Sequence, residues 1–270
     1  MTTMKIGLVG CGNIATDICI AIRDQAMPVS VVALTDVVPE AATRLRQEQQ
    51  LDAVIGTLIE TVAAADYVIE CAVAGAVPDV VRTAIAHETD CLVMSVGGLL
   101  NQEDLLAEAK RNGVQVRIPT GAICGLDGIR AAMQAGLDSV TLTTRKPPRG
   151  LAGAPYLHEQ GIDVEAIDAP LTVFDGTAAD AVKAFPANVN VAAALSLAGL
   201  GPEKTRVRVV ADPAATTNTH EIHATGPFGE LTTVTRNQPS PRNPKSSYMA
   251  SLSAVAELAA AVALFASRDR

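Results

Sequence analysis

A glycine-rich turn ten residues into the chain constrains the fold more than any other feature of the sequence. A short apolar run, residues 5–9, leads into Gly10-Cys11-Gly12-Asn13-Ile14-Ala15, and an amphipathic stretch follows. This is the G-x-G-x-x-A spacing of the dinucleotide fingerprint. Its first glycine permits a tight turn, its second lets a pyrophosphate approach the backbone, and its small third residue lets helix and strand pack closely. A plain tight turn can share this spacing, but the position directly after a strand predicts a cofactor site at Gly10, Gly12, Asn13 and Ile14.

The rest of the first half alternates short β-branched runs with longer amphipathic ones, which is typical of a parallel sheet covered by helices. Predicted strands lie at residues 5–9, 29–35, 67–71, 91–96 and 114–118, and predicted helices include residues 77–86 and 102–111. We therefore predict an α/β fold in which residues 1–119 form a dinucleotide-binding domain with a Rossmann-type, doubly wound parallel sheet.

An acidic residue follows the second predicted strand, where the fingerprint expects a carboxylate that accepts hydrogen bonds from the adenosine ribose. This residue is Asp36. Its charge would repel the additional phosphate of NADP, so NAD is the expected cofactor. Arg44 and Arg46 lie close by in the sequence and would weaken that preference, which leaves NADP open. Asp36 could also be a simple helix cap or turn residue.

The pattern changes after Pro119, where a glycine-rich loop, residues 120–125, precedes a helical run. Strongly alternating segments follow at residues 139–144, 205–210, 217–224 and 230–235, which favours antiparallel pairing over one buried face. We predict a smaller α+β domain over residues 120–244 that binds substrate, carries the catalytic residue and forms a dimer. A long helix within residues 245–270 is expected to pack back on the first domain.

The composition excludes several classes of function. A net charge of −8 argues against binding to nucleic acid, and any anionic substrate must be met by local cations. Five scattered cysteines lack the spacing of a zinc site, so reduced thiols and no metal are expected. Charges such as Glu257 are expected to interrupt the apolar stretches before the roughly 20 residues of a membrane span. With no leader expected either, the predicted location is the cytoplasm.

Five segments between residues 118 and 245 carry a resemblance to a known family. They read IPTGAICGLD at 118–127, TRKPP at 144–148, FPANVN at 185–190, NTHEI at 218–222 and NPK at 243–245. They resemble the L-aspartate dehydrogenase family, and the likeness spans the whole chain in order. The resemblance implies oxidation of L-aspartate to iminoaspartate with NAD or NADP, reversible from oxaloacetate and ammonia. It also implies a homodimer and a supply of iminoaspartate to NAD biosynthesis.

By position, the resemblance makes His220 the catalytic residue and places Ala122 and Asn188 against the cofactor. Histidine suits the role because its pKa lies near neutrality, so that it can exchange a proton with an amine or a water. In an alternating strand His220 would share a face with Ile222, while Glu221 would point the other way. A buried structural histidine and, for Asn188, a helix cap are the alternatives.

Four basic residues are candidates for binding the two carboxylates of the substrate, and Asn218 beside His220 is a further candidate. They are Arg145, Lys146, Arg242 and Lys245. All four flank proline-rich loops, and a guanidinium can bind a carboxylate with two hydrogen bonds. Each could equally be a solvated surface charge, and the sequence does not select among them.

Three other functions are compatible with the predicted fold. A dihydrodipicolinate reductase would need paired histidines with a lysine, which we do not find. A sugar dehydrogenase of the glucose-fructose oxidoreductase type would need a Glu-Lys-Pro segment, but Ser95-Val96-Gly97-Gly98 occupies the comparable place. A redox sensor that binds NAD without turnover would leave His220 unexplained. Fold alone does not separate these functions.

Overall fold

In the computed structural model, which describes residues 2–185, 190–244 and 246–268, the apolar runs of the first half form six parallel strands. The strands are β1 (Met4–Val9), β2 (Val29–Thr35), β3 (Val54–Ile55), β4 (Tyr67–Glu70), β5 (Asp90–Val93) and β6 (Val116–Arg117). They are arranged in the order β3-β2-β1-β4-β5-β6. Because the order reverses between β1 and β4, the carboxyl ends of these two strands mark the place where such sheets bind ligands.

Five helices connect these strands. They are α1 (Asn13–Asp24), α2 (Pro39–Glu48), α3 (Leu58–Ala63), α4 (Val77–Ala86) and α5 (Glu103–Arg111). In α1 the buried residues are Ala15, Ile18 and Cys19, at the three- and four-residue spacing of a single helical face. The predicted fold class, a doubly wound parallel sheet joined to a second, mixed-sheet domain, is confirmed.

The second part of the chain forms a separate mixed sheet. Its strands are β7 (Ser139–Lys146), β8 (Leu171–Thr177), β9 (Thr205–Ala211), β10 (Asn218–Gly226) and β11 (Gly229–Asn237). Its helices are α6 (Leu126–Ala132), α7 (Pro155–Glu159), α8 (Ala178–Ala184) and α9 (Asn190–Ala198). The strand order is β11-β10-β7-β9-β8, and only the β7–β9 pair is parallel.

Contacts divide the chain into two units. The first unit is Met1–Pro119 with Ser251–Arg270, and the second is Thr120–Ala250. The last helix, α10 (Tyr248–Arg268), supplies Ala254, Val255, Leu258 and Ala261 to the buried cluster that contains the apolar residues of β1. It begins at Tyr248, directly after Ser247, which forms an isolated bridge with Pro239.

The sequence analysis expected charges to interrupt the last apolar stretch before it reached the roughly 20 residues of a membrane span, and this expectation was wrong. Within the described residues, one helix is long and apolar enough to meet the criterion for a membrane span, Tyr248–Ser267, with a mean hydropathy of 1.9. Glu257 is the only charge in that stretch, and it forms an ion pair with Arg117 at 3.3 Å. One face of the helix, with Ala254, Leu258 and Ala261, is buried in the first unit, whereas Leu252 and Leu264 are exposed.

Candidate cofactor and catalytic sites

The two glycines of the turn after β1 have different structural roles. Gly10 has a φ of +92°, and a Cβ there would lie 2.5 Å from the carbonyl oxygen of Cys71. Gly12 has an ordinary φ of −90°, and a Cβ there would meet no atom within 4 Å. Gly10 is therefore required by the fold, whereas Gly12 keeps space free. That space adjoins the start of α1, where unpaired backbone N–H groups attract anions.

Asp36 fixes this turn to the end of β2. Its Oδ2 accepts a hydrogen bond from the backbone N–H of Cys11 (2.7 Å), and its Oδ1 accepts one from Val38 (2.8 Å). Each carboxylate oxygen can accept a second bond, so both remain able to bind ribose hydroxyls. The turn-residue role and the predicted ribose-binding role are thus compatible.

A cavity of about 410 Å³ lies at the carboxyl ends of β1, β2 and β4. The glycine turn, Asp36, Val37, Leu58 and the residues after β4 line it. Asn13 starts α1 beside this cavity, and Ile14 packs partly into the core below. Two carboxylates, Asp36 and Asp79, are among the lining residues. A space of this volume, with Asp36 at the end of β2 and an open helix start, fits a bound dinucleotide at its adenosine and pyrophosphate.

A buried carboxylate that the sequence analysis did not identify supports the same cavity. Glu70, at the end of β4, is fully buried; its Oε1 accepts from the N–H of Ala72 and its Oε2 from the N–H of Ser95, both at 2.8 Å. Burial raises the pKa of Glu70, against the lowering effect of these hydrogen bonds. Because Ala72 lines the cavity, Glu70 holds one of its walls.

In the second unit, the covered face of the sheet changes from apolar to polar along β7 and β10. On β7 the buried residues run from Val140 and Leu142 to Thr144 and Lys146. On β10 the corresponding run is Ala224, Ile222 and His220, with the half-buried Asn218 at the end. The alternation predicted for β10 is therefore present, with Glu221 exposed. Buried polar groups are costly for folding, so such a cluster suggests a function.

His220 is 4% exposed and lies directly opposite Thr144 across the β7–β10 pair. Its Nδ1 is 3.0 Å from the Thr144 Oγ1. Burial, and then the charge of Lys146, lower the pKa of His220 from 6.5 to about 3. The imidazole is thus neutral near pH 7.

Lys146 is 5% exposed. Apolar side chains, among them Leu142, Leu151 and Phe185, line a small cavity together with Thr144 and Lys146. In these surroundings burial lowers the pKa of Lys146 from 10.5 to about 8. The amine can therefore gain or lose a proton close to physiological pH.

The loop at the start of the second unit is fixed against β11. The carbonyl oxygen of Ala122 accepts hydrogen bonds from the Thr235 Oγ1 and the Asn237 Nδ2, both at 2.9 Å. Thr235 lies opposite His220 in the β10–β11 pair. Ala122, which the family resemblance places against the cofactor, is thus held by β11, the strand next to the one that carries His220.

The structure separates the other candidates for substrate binding. Arg145 lies between Thr144 and Lys146 on β7, so it faces the other side of the sheet, and it forms an ion pair with Asp212 at 2.8 Å. Arg242 is exposed on the loop after β11, where its N–H donates to the Ser240 Oγ. Asn218 shares the His220 face and donates to the Ser247 Oγ at 3.3 Å. Asn188 and Lys245 lie outside the described residues.

A Rossmann unit with an open glycine turn, in one chain with a mixed sheet that buries a histidine and a lysine, defines a class: two-domain dehydrogenases that use a nicotinamide cofactor. Comparison with known proteins agrees. Residues 10–119 match the model of the homoserine dehydrogenase NAD-binding domain, and residues 127–261 match that of the C-terminal domain of aspartate dehydrogenase.

Curated relatives are similar over almost the whole chain. An L-aspartate dehydrogenase from Methanosarcina barkeri is 47% identical over 262 residues, covering 94% of this chain and 96% of its own. One from Bradyrhizobium diazoefficiens is 40% identical over 258 residues, covering 94% and 90%. An aspartate dehydrogenase structure from Thermotoga maritima superposes with a TM-score of 0.69 at 24% identity, covering 86% and 88% of the two chains, and so shares the fold. The chain belongs to the L-aspartate dehydrogenase family.

Proposed function

We propose that this protein oxidises L-aspartate to iminoaspartate with NAD, and that water then converts the imine to oxaloacetate and ammonia. The overall reaction is reversible. The observation that carries the proposal is the buried polar cluster of His220, Thr144 and Lys146, in a chain 47% identical to an L-aspartate dehydrogenase. A base and a cation on one sheet face are what an amino dicarboxylic acid requires.

The cofactor would be held mainly by the first unit. Gly10 and Gly12 would admit the pyrophosphate, Asn13 and Ile14 would present the start of α1, and Asp36 would bind the ribose. The carboxylate of Asp36 favours NAD over NADP because it opposes an additional phosphate. The family resemblance adds Ala122 and Asn188. When bound, NAD accepts the hydride that leaves C2 of the substrate.

His220 would act as the general acid-base. The ammonium group of aspartate must lose a proton before C2 is oxidised, and a neutral imidazole can accept it. A bound dicarboxylate places negative charge beside the ring, which raises the pKa of His220 towards neutrality. In the second step the same imidazole can take a proton from the water that adds to C2.

Lys146 would bind one substrate carboxylate, and Asn218 would complete this part of the site. A substrate carboxylate beside the Lys146 amine would raise the pKa of that amine, and this would counteract the lowering of its pKa by burial. Of the basic candidates, Arg145 is least suited to this role because it faces the other side of the sheet. Glutamate should be a poor substrate, because an added methylene shifts either the second carboxylate or C2, and about 1 Å of misplacement can cost roughly a hundredfold in rate.

The test is NADH formation by the purified protein on addition of L-aspartate, with L-glutamate, L-alanine and L-homoserine as comparison substrates. We expect rapid turnover of aspartate alone. Equal turnover of glutamate would contradict the proposed substrate. NAD binding without turnover would instead support a redox sensor.

A second arm tests His220 itself. The His220→Ala variant should lower kcat by roughly a hundred- to ten-thousandfold, the range for a positioned acid-base group, with nearly unchanged NAD affinity. His223→Ala is the matched control, because His223 lies on the same strand but on the other face, paired with Glu230 at 2.9 Å. A His220→Ala variant with kcat within about threefold of the parent, worth only about 0.7 kcal/mol, would make His220 a packing residue.

We further propose a homodimer assembled through the second unit. The sheet face opposite His220 presents exposed polar residues, including Arg206, Glu221 and Thr232, and pairing with a second copy would cover them. Twofold symmetry is the commonest arrangement for soluble enzymes. Light scattering should give twice the chain mass of 27.9 kDa, and a monomer would contradict the proposal.

We propose the cytoplasm as the location and the supply of iminoaspartate to NAD biosynthesis as the role. The five cysteines are free thiols, as expected of a reducing compartment. Fractionation of cells with an antibody to the protein tests the location. Deletion of the gene tests the role. We expect the deletion to stop growth, and a later precursor of NAD in the medium to restore it.

A further inference from the structure

Thr144 and His220 form a cross-strand pair in the buried half of the second sheet. The two residues are 5% and 4% exposed, they lie directly opposite each other in the β7–β10 register, and Oγ1 is 3.0 Å from Nδ1. Their neighbours further along the same face, Leu142 and Ile222, are apolar and fully buried. A valine would fill the place of Thr144 with almost the same volume, so packing alone does not account for the hydroxyl.

We propose that Thr144 is a positioning residue for His220. Its hydroxyl accepts the Nδ1–H of the imidazole and selects the tautomer in which Nε2 carries the lone pair that takes the substrate's proton. This inference rests on the proposed function, because it concerns how His220 acts as a base.

The choice of tautomer follows from the chemistry of the ring. A neutral imidazole has one N–H, and only the nitrogen without hydrogen can accept a proton. When Nδ1–H donates to Thr144, Nε2 is the base. After Nε2 has gained a proton, Nδ1–H still donates to the same oxygen. The hydrogen bond therefore persists in both states of the catalytic cycle, and neither state leaves a buried N–H unpaired at this end of the ring.

The first experiment compares two substitutions at this position. Thr144→Val keeps the shape and removes the hydroxyl, whereas Thr144→Ser keeps the hydroxyl. We expect Thr144→Val to lower kcat for L-aspartate by roughly ten- to a hundredfold, as for loss of a buried hydrogen bond, with NAD affinity unchanged. Thr144→Ser should restore kcat to within about fivefold of the parent. The matched control is Thr143→Val, because Thr143 lies next in the same strand but pairs with Glu221 on the opposite face.

The second experiment reads the tautomer in the unmodified protein by ¹⁵N NMR of the histidine rings at pH 7.5. The chain has four histidines, so the His220 signals can be assigned by their loss in His220→Ala. We expect a protonated Nδ1 and an unprotonated Nε2. This measurement needs no Thr144 variant, so it decides the question even if Thr144→Val fails to fold.

The outcomes separate the two proposals. An unmodified protein that forms no NADH with aspartate overturns the proposed function. An active protein in which His220 carries its hydrogen on Nε2, or in which Thr144→Val keeps kcat within about threefold, overturns only the role of Thr144. Equal losses in Thr144→Val and Thr144→Ser would also overturn it, because the hydroxyl would then not be the feature that matters.

Discussion

The two glycines of the first turn provide a sharp test of the cofactor site, because substitution by alanine should lower the stability of the protein at Gly10 and its affinity for NAD at Gly12. In Gly10→Ala the new Cβ would lie 2.5 Å from the Cys71 carbonyl oxygen and 2.7 Å from the Ala72 nitrogen, both backbone atoms. Alanine must also adopt a φ of +92°. Backbone strain of this kind costs roughly 1–3 kcal/mol, and overpacking costs roughly another 1–3 kcal/mol.

Gly10→Ala should therefore lower the free energy of unfolding by roughly 2–6 kcal/mol, and the melting temperature by roughly 5–20 °C. In Gly12→Ala the φ of −90° suits any residue and the Cβ meets no atom within 4 Å, so the melting temperature should change by less than about 2 °C. The methyl group instead enters the space that the cofactor pyrophosphate requires. NAD should then bind at least roughly tenfold more weakly, a loss of about 1.4 kcal/mol.

Thermal melts and calorimetric titration with NAD measure both quantities. The expected result is a destabilised Gly10→Ala and a Gly12→Ala that is stable but binds NAD poorly. If Gly12→Ala bound NAD as tightly as the parent, the open space at Gly12 would not be the cofactor's. If Gly10→Ala melted at the parent's temperature, the close approach to Cys71 would not constrain the turn.

Three further predictions follow from single residues. Asp36→Ser should lower the ratio of kcat/KM for NAD to kcat/KM for NADP by roughly tenfold, since it removes a charge that repels the additional phosphate of NADP. An unchanged ratio in parallel assays would show that Asp36 does not bind the ribose. Lys146→Met should raise KM for L-aspartate by roughly ten- to a hundredfold, because it removes a charged hydrogen bond to the substrate. Arg145→Met, on the other face of the sheet, should leave KM unchanged. Equal KM values in the two variants would show that Lys146 does not bind the substrate. His220 has a folded-state pKa of about 3 against 6.5 when unfolded, so the unfolded chain binds more protons and the folded form loses stability as the pH falls from 6.5 towards 3. Between pH 7.5 and 4.5 the parent should lose about 3 kcal/mol relative to His220→Asn in urea unfolding, and a constant difference between the two proteins would refute the neutral buried imidazole.

The first sheet was largely predictable from the sequence because its buried parallel strands are continuous apolar runs bounded by helices. Two strands were missed. β3 (Val54–Ile55) has only two residues, of which Val54 is exposed and Ile55 is half-buried. β8 (Leu171–Thr177) has an irregular register between Thr172 and Phe174, which breaks the two-residue alternation on which strand prediction depends.

The candidate site was predictable only in part. Glu70 could have been identified, because it is a charge inside the apolar run that forms β4. A carboxylate in a buried strand must accept hydrogen bonds from the groups around it. Thr144 carried none, because its partner His220 lies 76 residues away and the register of β7 on β10 is set by tertiary packing. The alternation of β7 could have shown that Arg145 and Lys146 do not face the same site.

The central claim is that hydrogen passes from C2 of L-aspartate to NAD on this protein. The most direct measurement uses L-aspartate with deuterium at C2 and follows the label by mass spectrometry of the NADH formed, with ammonia and oxaloacetate measured in the same reaction. We predict one deuterium in each NADH, with one ammonia and one oxaloacetate released per NADH. NADH without deuterium, or no NADH at all, would contradict the proposed function.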